Sequence, residues 1–363
     1  VAIRLALAQT GDDLEGSADG NPQIVERIAP SEPRIAYVSD LEDDVGINLM
    51  DTDGSTSRRL SSDEGFHSDP AWSPDGWYVA YEGAEDSIFG RGEAFVEIWV
   101  SAIEGSERFT VSRAISNVMT TRPAWSPDGV ELAFLSVGES EEGDPHAIVN
   151  IVHSDGSGII ETIPLPWMTY ELNWSRTANA LLLAGEIEDN EWNVYALPLD
   201  EDDGESQPTE LFSGALAADW SPDGEKVVVG DYSSNKILII AEGQEPNLVA
   251  QLNLQPVEIA WSPEGAHMAV TTAANYRQGY GTNLYLIEVE TGEFADISQG
   301  QGWVVEPSWS PDGSQLLFTM GPMVRRTGSD LPYADLWVYD IASSGLTQLT
   351  AGGGFEGLGV WSP

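Results

Sequence analysis

Few residues in this chain are equipped to do chemistry. His67, His146, His153 and His267 are its only imidazoles, and there is no cysteine. Thiolate metal sites, disulfides and cysteine nucleophiles are therefore unavailable. Metal binding or proton transfer would rest on the four histidines and on the 60 acidic residues. Two histidines share one face of a strand or helix when they stand two or four residues apart, and these never do. There is no G-x-S-x-G elbow for a serine nucleophile, no H-E-x-x-H and no P-loop. "GGGFEG", Gly352 to Gly357, spells G-x-G-x-x-G, but no helical pattern follows it, so it reads as a glycine-rich connector. The acidic turns "DTDGS" at Asp51, "HSDGSG" near Asp155 and "DEDDG" at Asp200 fall short of the alternating ligand ladder that a calcium loop needs. They read as hairpin turns. No cofactor is expected, and calcium only adventitiously.

Composition narrows the partners. Against 60 acidic residues stand 15 basic ones, two of them lysines, for a net charge of −45. Such a chain is repelled by nucleic acid and by anionic membrane surfaces. It has no apolar run of about 18 residues that would span a bilayer. The opening decamer "VAIRLALAQT" reads either as the end of a signal peptide or as an apolar arm that docks and assembles. Residues 11–33, rich in Gly, Pro and acid, read as a tether, so the chain divides into 1–33 and 34–363.

The elements that position any site are repeats. "WSPDG" opens at Trp72, Trp125, Trp220 and Trp309, "WSPEG" at Trp261, a degenerate "WSRTA" at Trp174, and the chain stops on "WSP" at Trp361. The spacings are 53, 49, 46, 41, 48 and 52 residues, a period that marks a repeat architecture. In each unit a short strand ends in the Pro-Asp-Gly turn, and three more strands rich in Val, Ile, Tyr and Trp follow. No sustained 3.6-residue period interrupts them. Four-stranded meanders of this size bury both faces only by packing radially, which predicts an all-β, seven-bladed β-propeller of antiparallel blades. Each repeated Trp then wedges between neighbouring blades. Residues 34–61 supply three strands without a first, and residues 357–363 supply a first strand alone. Together they complete one blade and close the ring through both termini.

These seven Trp-Ser sites resemble the TolB-type, or WD-like, propeller repeats of bacterial cell-envelope proteins, and the resemblance covers residues 34–363. They are similar also to the propellers of the prolyl oligopeptidase and tricorn protease families. The resemblance implies the fold and an extracytoplasmic setting, whereas function varies widely on this scaffold. The chain departs from TolB, whose propeller has six blades and a separate α/β domain, and it shows no hydrolase domain after the propeller. Oligogalacturonate lyases are propellers with histidines clustered round a metal, and His67, in a connector near the axis, is the residue that reading would use.

In a four-stranded meander the Pro-Asp-Gly turns and the third-to-fourth hairpins share one face. The second-to-third connections and the blade-to-blade connectors share the other, and there the sequence is irregular. Function concentrates on such loops. The connectors carry Phe66, Met119, Trp167, Met168, Tyr170, Trp303 and Phe355, and the long loops carry Arg91, Arg277, Arg325 and Arg326. Asp69, Glu171, Glu258 and Glu306 are placed just before the inner strands. An aromatic funnel rimmed by guanidinium groups would hold a peptide, an acidic tail or a glycan. The expected ligand-binding set is Trp167, Tyr170, Trp303, Phe66, Phe355, Arg91, Arg277, Arg325 and Arg326. The function expected is a non-enzymatic extracytoplasmic module binding a protein or glycan. The alternatives are a structural surface or filament subunit docking through residues 1–10, and a metal-dependent polysaccharide lyase-like enzyme.

Overall fold

The computed structural model describes residues 33–40, 45–62, 65–84, 96–112, 123–139, 145–186, 191–199, 206–273, 283–300, 302–322 and 332–363. These form seven four-stranded antiparallel sheets, with no helix among the described residues. Blade 1 takes its inner strand from the C-terminus, Glu356–Trp361, and its other three from Arg34–Ser39, Gly46–Asp51 and Ser57–Arg59. Blades 2 to 7 follow in chain order, with inner strands Phe66–Trp72, Ala124–Trp125, Met168–Trp174, Ala215–Trp220, Gln255–Trp261 and Trp303–Trp309. The predicted seven-bladed propeller, closed by its own ends, is the fold observed.

The repeated turn forms for local reasons. In blade 2 the Gly76 N–H donates to the Ser73 carbonyl at 2.9 Å, and Gly76 takes a φ of 73°, which glycine adopts without a Cβ clash. Ser73 Oγ donates to Asp75 Oδ1 at 2.6 Å and accepts from the Tyr78 N–H at 3.0 Å. Ser126, Ser221 and Ser310 make the same serine–aspartate bond at 2.7, 2.5 and 2.8 Å. The Ser221 hydroxyl and the Glu225 amide hold the Asp223 carboxyl below its ordinary value. In blade 4, which lacks Pro, Asp and Gly here, Ser175 Oγ still accepts from the Ala178 N–H at 3.2 Å.

The core lies between blades rather than within them, in seven apolar clusters that join successive blades round the ring. The Trp wedge has a register. Nε1 of Trp72, Trp125, Trp220 and Trp309 donates to the carbonyl of Val360, Ala71, Asn173 and Ala260, at 3.1, 3.0, 3.4 and 3.0 Å. Each acceptor immediately precedes the repeated Trp of the preceding blade. Trp261 breaks the pattern and donates to its own Gly265 carbonyl at 3.2 Å.

The residue before Trp220 is Asp219, and its carboxylate ties blade 5 to blade 6. Oδ2 accepts from the Trp261 N–H and Oδ1 from the Trp220 N–H, both at 2.8 Å. Burial pushes this carboxyl up to about 6, although both amides and Arg176 oppose the shift. The folded chain therefore holds this proton at pH values where the unfolded chain has released it. The contribution is complete below about pH 4 and is lost as pH rises through about 6. Asp219 is half-buried, so the effect is on the order of 1–2 kcal/mol. Urea unfolding of wild type and Asp219→Asn between pH 4 and 7 checks it. Relative to the variant, wild type should lose that amount on going up in pH, and a flat difference contradicts the assignment.

Candidate functional site

The inner strands are not regular. In blades 4, 5 and 6 each carries a one-residue bulge, skipping Tyr170, Leu216 and Val257 against its partner strand. In blades 2 and 7 the irregularity spans two residues, Asp69-Pro70 and Glu306-Pro307. There Asp69 and Glu306 take positive φ, 52° and 55°, a strained conformation for residues with a Cβ. The four carboxylates placed before the inner strands thus lie inside them, three residues ahead of each Trp. Glu258 Oε2 accepts from Thr271 Oγ1 at 2.8 Å and from the Glu306 N–H at 3.0 Å, tying blade 6 to blade 7. Asp69 Oδ2 accepts from Ser68 Oγ at 2.7 Å.

The predicted aromatics separate into two groups. Trp303 and Phe355 are 7% and 4% exposed, and both belong to the apolar cluster joining blades 7, 1 and 2. Phe66 is half-buried and bridges in parallel to Val45. Trp303 and Phe355 contribute chiefly to packing. The other group sits on blade 4, at the face of the irregular connections. Trp167 stacks on Tyr195, with ring centroids 4.4 Å apart and planes inclined by 22°. Tyr170 stands 5.1 Å from Trp192 at 38° and is 37% exposed. Gly185 permits the approach of the first pair, since a Cβ there would meet the Met168 carbonyl oxygen and lie 2.9 Å from Trp167 Cδ1. Burial, and then the Glu186 carboxylate, push the Tyr170 phenol above its ordinary value. Arg91, Arg277, Arg325, Arg326 and Met119 lie outside the described residues.

The histidines do not converge. His67, in the blade 2 inner strand, is fully buried; its Nε2 lies 3.3 Å from Ser62 Oγ, and its ring meets Tyr81 edge-on at 5.6 Å. Burial, then Arg59, lower it to about 4, so it is neutral at physiological pH. His146 and His153 belong to blade 3. His267, in blade 6, has Nδ1 3.2 Å from Glu264 Oε1. Among the described residues no three His, Asp or Glu side chains are grouped to hold a metal ion.

Comparison with known proteins bears on the repeat. A family model described as the TolB beta propeller domain matches residues 185–363. The TolB structure from Acinetobacter baumannii aligns at 17% identity with a TM-score of 0.53, over 92% of this chain and 68% of that one. Residues 185–363 thus match TolB-type propeller repeats, and the whole chain shares the propeller fold. The propeller domain of the Trilobed protease from Pyrococcus furiosus, described as having an open velcro topology, aligns at 19% identity and a TM-score of 0.58. It covers 90% of this chain and 99% of that domain. The "Uncharacterized peptidase YuxL" of Bacillus subtilis is 24% identical over 198 residues, 54% of this chain. The chain covers only 28% of the length of that relative.

Within this ring of blades the second-to-third connections differ in length. They span 85–96 in blade 2, 274–282 in blade 6 and 322–334 in blade 7, but only 232–235 in blade 5. The blade 5 turn is tight because Asp231 Oδ1 accepts from the N–H groups of Ser233 and Ser234, at 2.8 and 3.0 Å. Those hydroxyl and amide donors hold the Asp231 carboxyl below its ordinary value, against the effect of its burial. The blade 5 connection is therefore the shortest of the seven, and blade 5 adjoins the blade that carries Tyr170 and Trp192. Sequence reading singles out Tyr170 but misses Trp192 and Glu186. Trp192 is legible as the start of a strand, "WNVYALPLD", and nothing in its spacing marks it as a neighbour of Tyr170.

Proposed function

We propose that this TolB-type propeller is a non-enzymatic extracytoplasmic binding module whose protein or glycan partner lands on the irregular face. The observation that carries this reading is the contrast between the two faces. The turn face repeats one set of short hydrogen-bonded turns in blade after blade. The irregular face varies from blade to blade in connection length and presents an exposed Tyr170 packed on a half-buried Trp192. No helix of the described residues is long and apolar enough to cross a membrane. The test is binding of a partner purified from the native source to face-specific variants. Tyr170→Ala or the double change Arg325→Ala, Arg326→Ala should weaken it. Asp53→Ala and Asp155→Ala, in the opposite hairpins, should not. The reverse pattern would show the turn face to be the binding face.

A second reading is favoured by the peptidase relative and by the fold shared with a protease propeller. In it the propeller serves a hydrolase. A panel of acylated peptide anilides distinguishes the two: turnover by material copurified with the chain from its native source would favour the hydrolase reading, and none is expected.

A further inference from the structure

We propose that Tyr170, Trp192 and Glu186 form a subsite for a neutral, gluco-configured pyranose ring, on the blade 5 side of blade 4. This inference rests on the reading of the irregular face as the binding face and names the ligand class for one part of it.

The backbone first puts the ring outside. Met168 pairs with Glu186 and Thr169 with Gly185, then the register skips Tyr170 and resumes with Glu171 opposite Ala184. The bulged residue has no cross-strand partner, and its ring reaches Trp192, which pairs with Glu186 on the far side of the middle strand. Val194, two residues beyond Trp192 and so on the same face of the sheet, packs in the cluster shared with blade 5. The Tyr170–Trp192 pair therefore lies on the blade 5 side, where the facing connection is the four-residue turn 232–235.

The chemistry follows from shape and charge. The two rings lie against each other at 38°, and the tyrosine stays 37% exposed, so the pair offers a small apolar surface. A pyranose with equatorial hydroxyls offers flat C–H faces to such rings and projects its hydroxyls at the edge. Glu186, close enough to perturb the Tyr170 phenol, supplies a carboxylate acceptor for one of them. The same carboxylate, in a chain of net charge −45, disfavours uronic acids, phosphates and acidic peptides here. Tyrosine and tryptophan give this contact area at small entropic cost because each has only two side-chain torsions.

The test measures equilibrium binding of cellohexaose, chitohexaose and hexagalacturonate to the full chain, by tryptophan fluorescence and by calorimetry. At least one neutral hexamer should saturate at millimolar concentration or below, and hexagalacturonate should bind at least about tenfold more weakly. Tyr170→Ala should weaken the neutral ligand at least about tenfold and Glu186→Gln severalfold, with the melting temperature unchanged. Phe294→Ala, at an exposed aromatic on blade 6, should leave binding intact. The proposal is overturned if neither neutral hexamer binds, if the acid binds as well, or if Tyr170→Ala is without effect. If the sugars fail while a native partner still needs the irregular face, only this subsite falls. If the partner needs the turn face, the broader reading falls with it.

Discussion

Removing residues 357–363 should cost more stability than any single substitution and should drive the chain to aggregate. Those residues make up nearly all of the blade 1 inner strand, which pairs Trp361 with Ile35, Val360 with Ala36 and Gly357 with Val38. Beyond the strand, the Arg34 N–H donates to Ser362 Oγ at 2.9 Å, and the Ser362 N–H donates to the Arg34 carbonyl at 2.8 Å. The Leu358 N–H donates to Thr319 Oγ1 at 2.7 Å, and Val360 accepts the Trp72 indole, so the strand also ties blade 7 to blade 2. Without it, Ile35, Ala36, Tyr37 and Val38, now at most 3% exposed, would become a bare apolar edge. Loss of the Trp361 side chain alone corresponds to about 3–5 kcal/mol. Denaturant unfolding and size exclusion of the truncated chain check this. A truncated chain that stays monomeric with an unchanged midpoint contradicts closure through the termini.

Trp309→Ala carries the next largest expected effect. The side chain is 8% exposed and sits in the cluster joining blades 6 and 7 with Leu316, Phe318 and Met320. Its Nε1 donates to the Ala260 carbonyl at 3.0 Å. Truncation would open a cavity at the blade interface and leave that carbonyl without its donor, for a loss of about 3–5 kcal/mol. Trp309→Phe keeps most of the apolar area and should lose clearly less, about 1–2 kcal/mol. Tyr170→Ala, at a surface ring, should fall within about 0.5 kcal/mol of wild type. Urea unfolding at neutral pH orders the three. If Trp309→Ala and Tyr170→Ala cost the same, the repeated Trp is not the inter-blade wedge.

The architecture was legible because each blade spells it. Trp-Ser-Pro-Asp-Gly encodes a strand end, a fixed φ, a positive φ and two side-chain bonds, so the turn is written in residue types alone. The termini were legible because Arg34–Ser39 lacked an inner strand and Glu356–Trp361 lacked everything else. One repeated device was overlooked. The dipeptides Leu60-Ser61, Ile297-Ser298 and Leu349-Thr350 close the fourth strands, the apolar residue donating its N–H and the hydroxyl accepting one from the start of the third strand.

The candidate site was much less legible. Trp303 and Phe355 read as connector residues, where aromatics look like surface, yet Trp303 opens the blade 7 inner strand, Phe355 directly precedes that of blade 1, and both are buried between blades. Tyr170 is turned outward by a bulge, and a one-residue slip in pairing leaves no mark in residue types. Trp192 meets it across an intervening strand, a neighbourhood created by sheet pairing rather than by spacing along the chain. Asp69, Glu171, Glu258 and Glu306 were expected just ahead of the inner strands and lie within them, Asp219 was not singled out, and the ties of Asp219 to the Trp261 N–H and of Glu258 to the Glu306 N–H depend on ring geometry.

The central claim is that partners land on the irregular face, and hydrogen–deuterium exchange of the chain alone and with its natively purified partner tests it most directly. The account predicts slowed exchange in 165–172, 186–193 and 231–236, with the hairpins at 51–57 and 153–159 unchanged. Protection confined to those hairpins, with none around Tyr170 and Trp192, would contradict it.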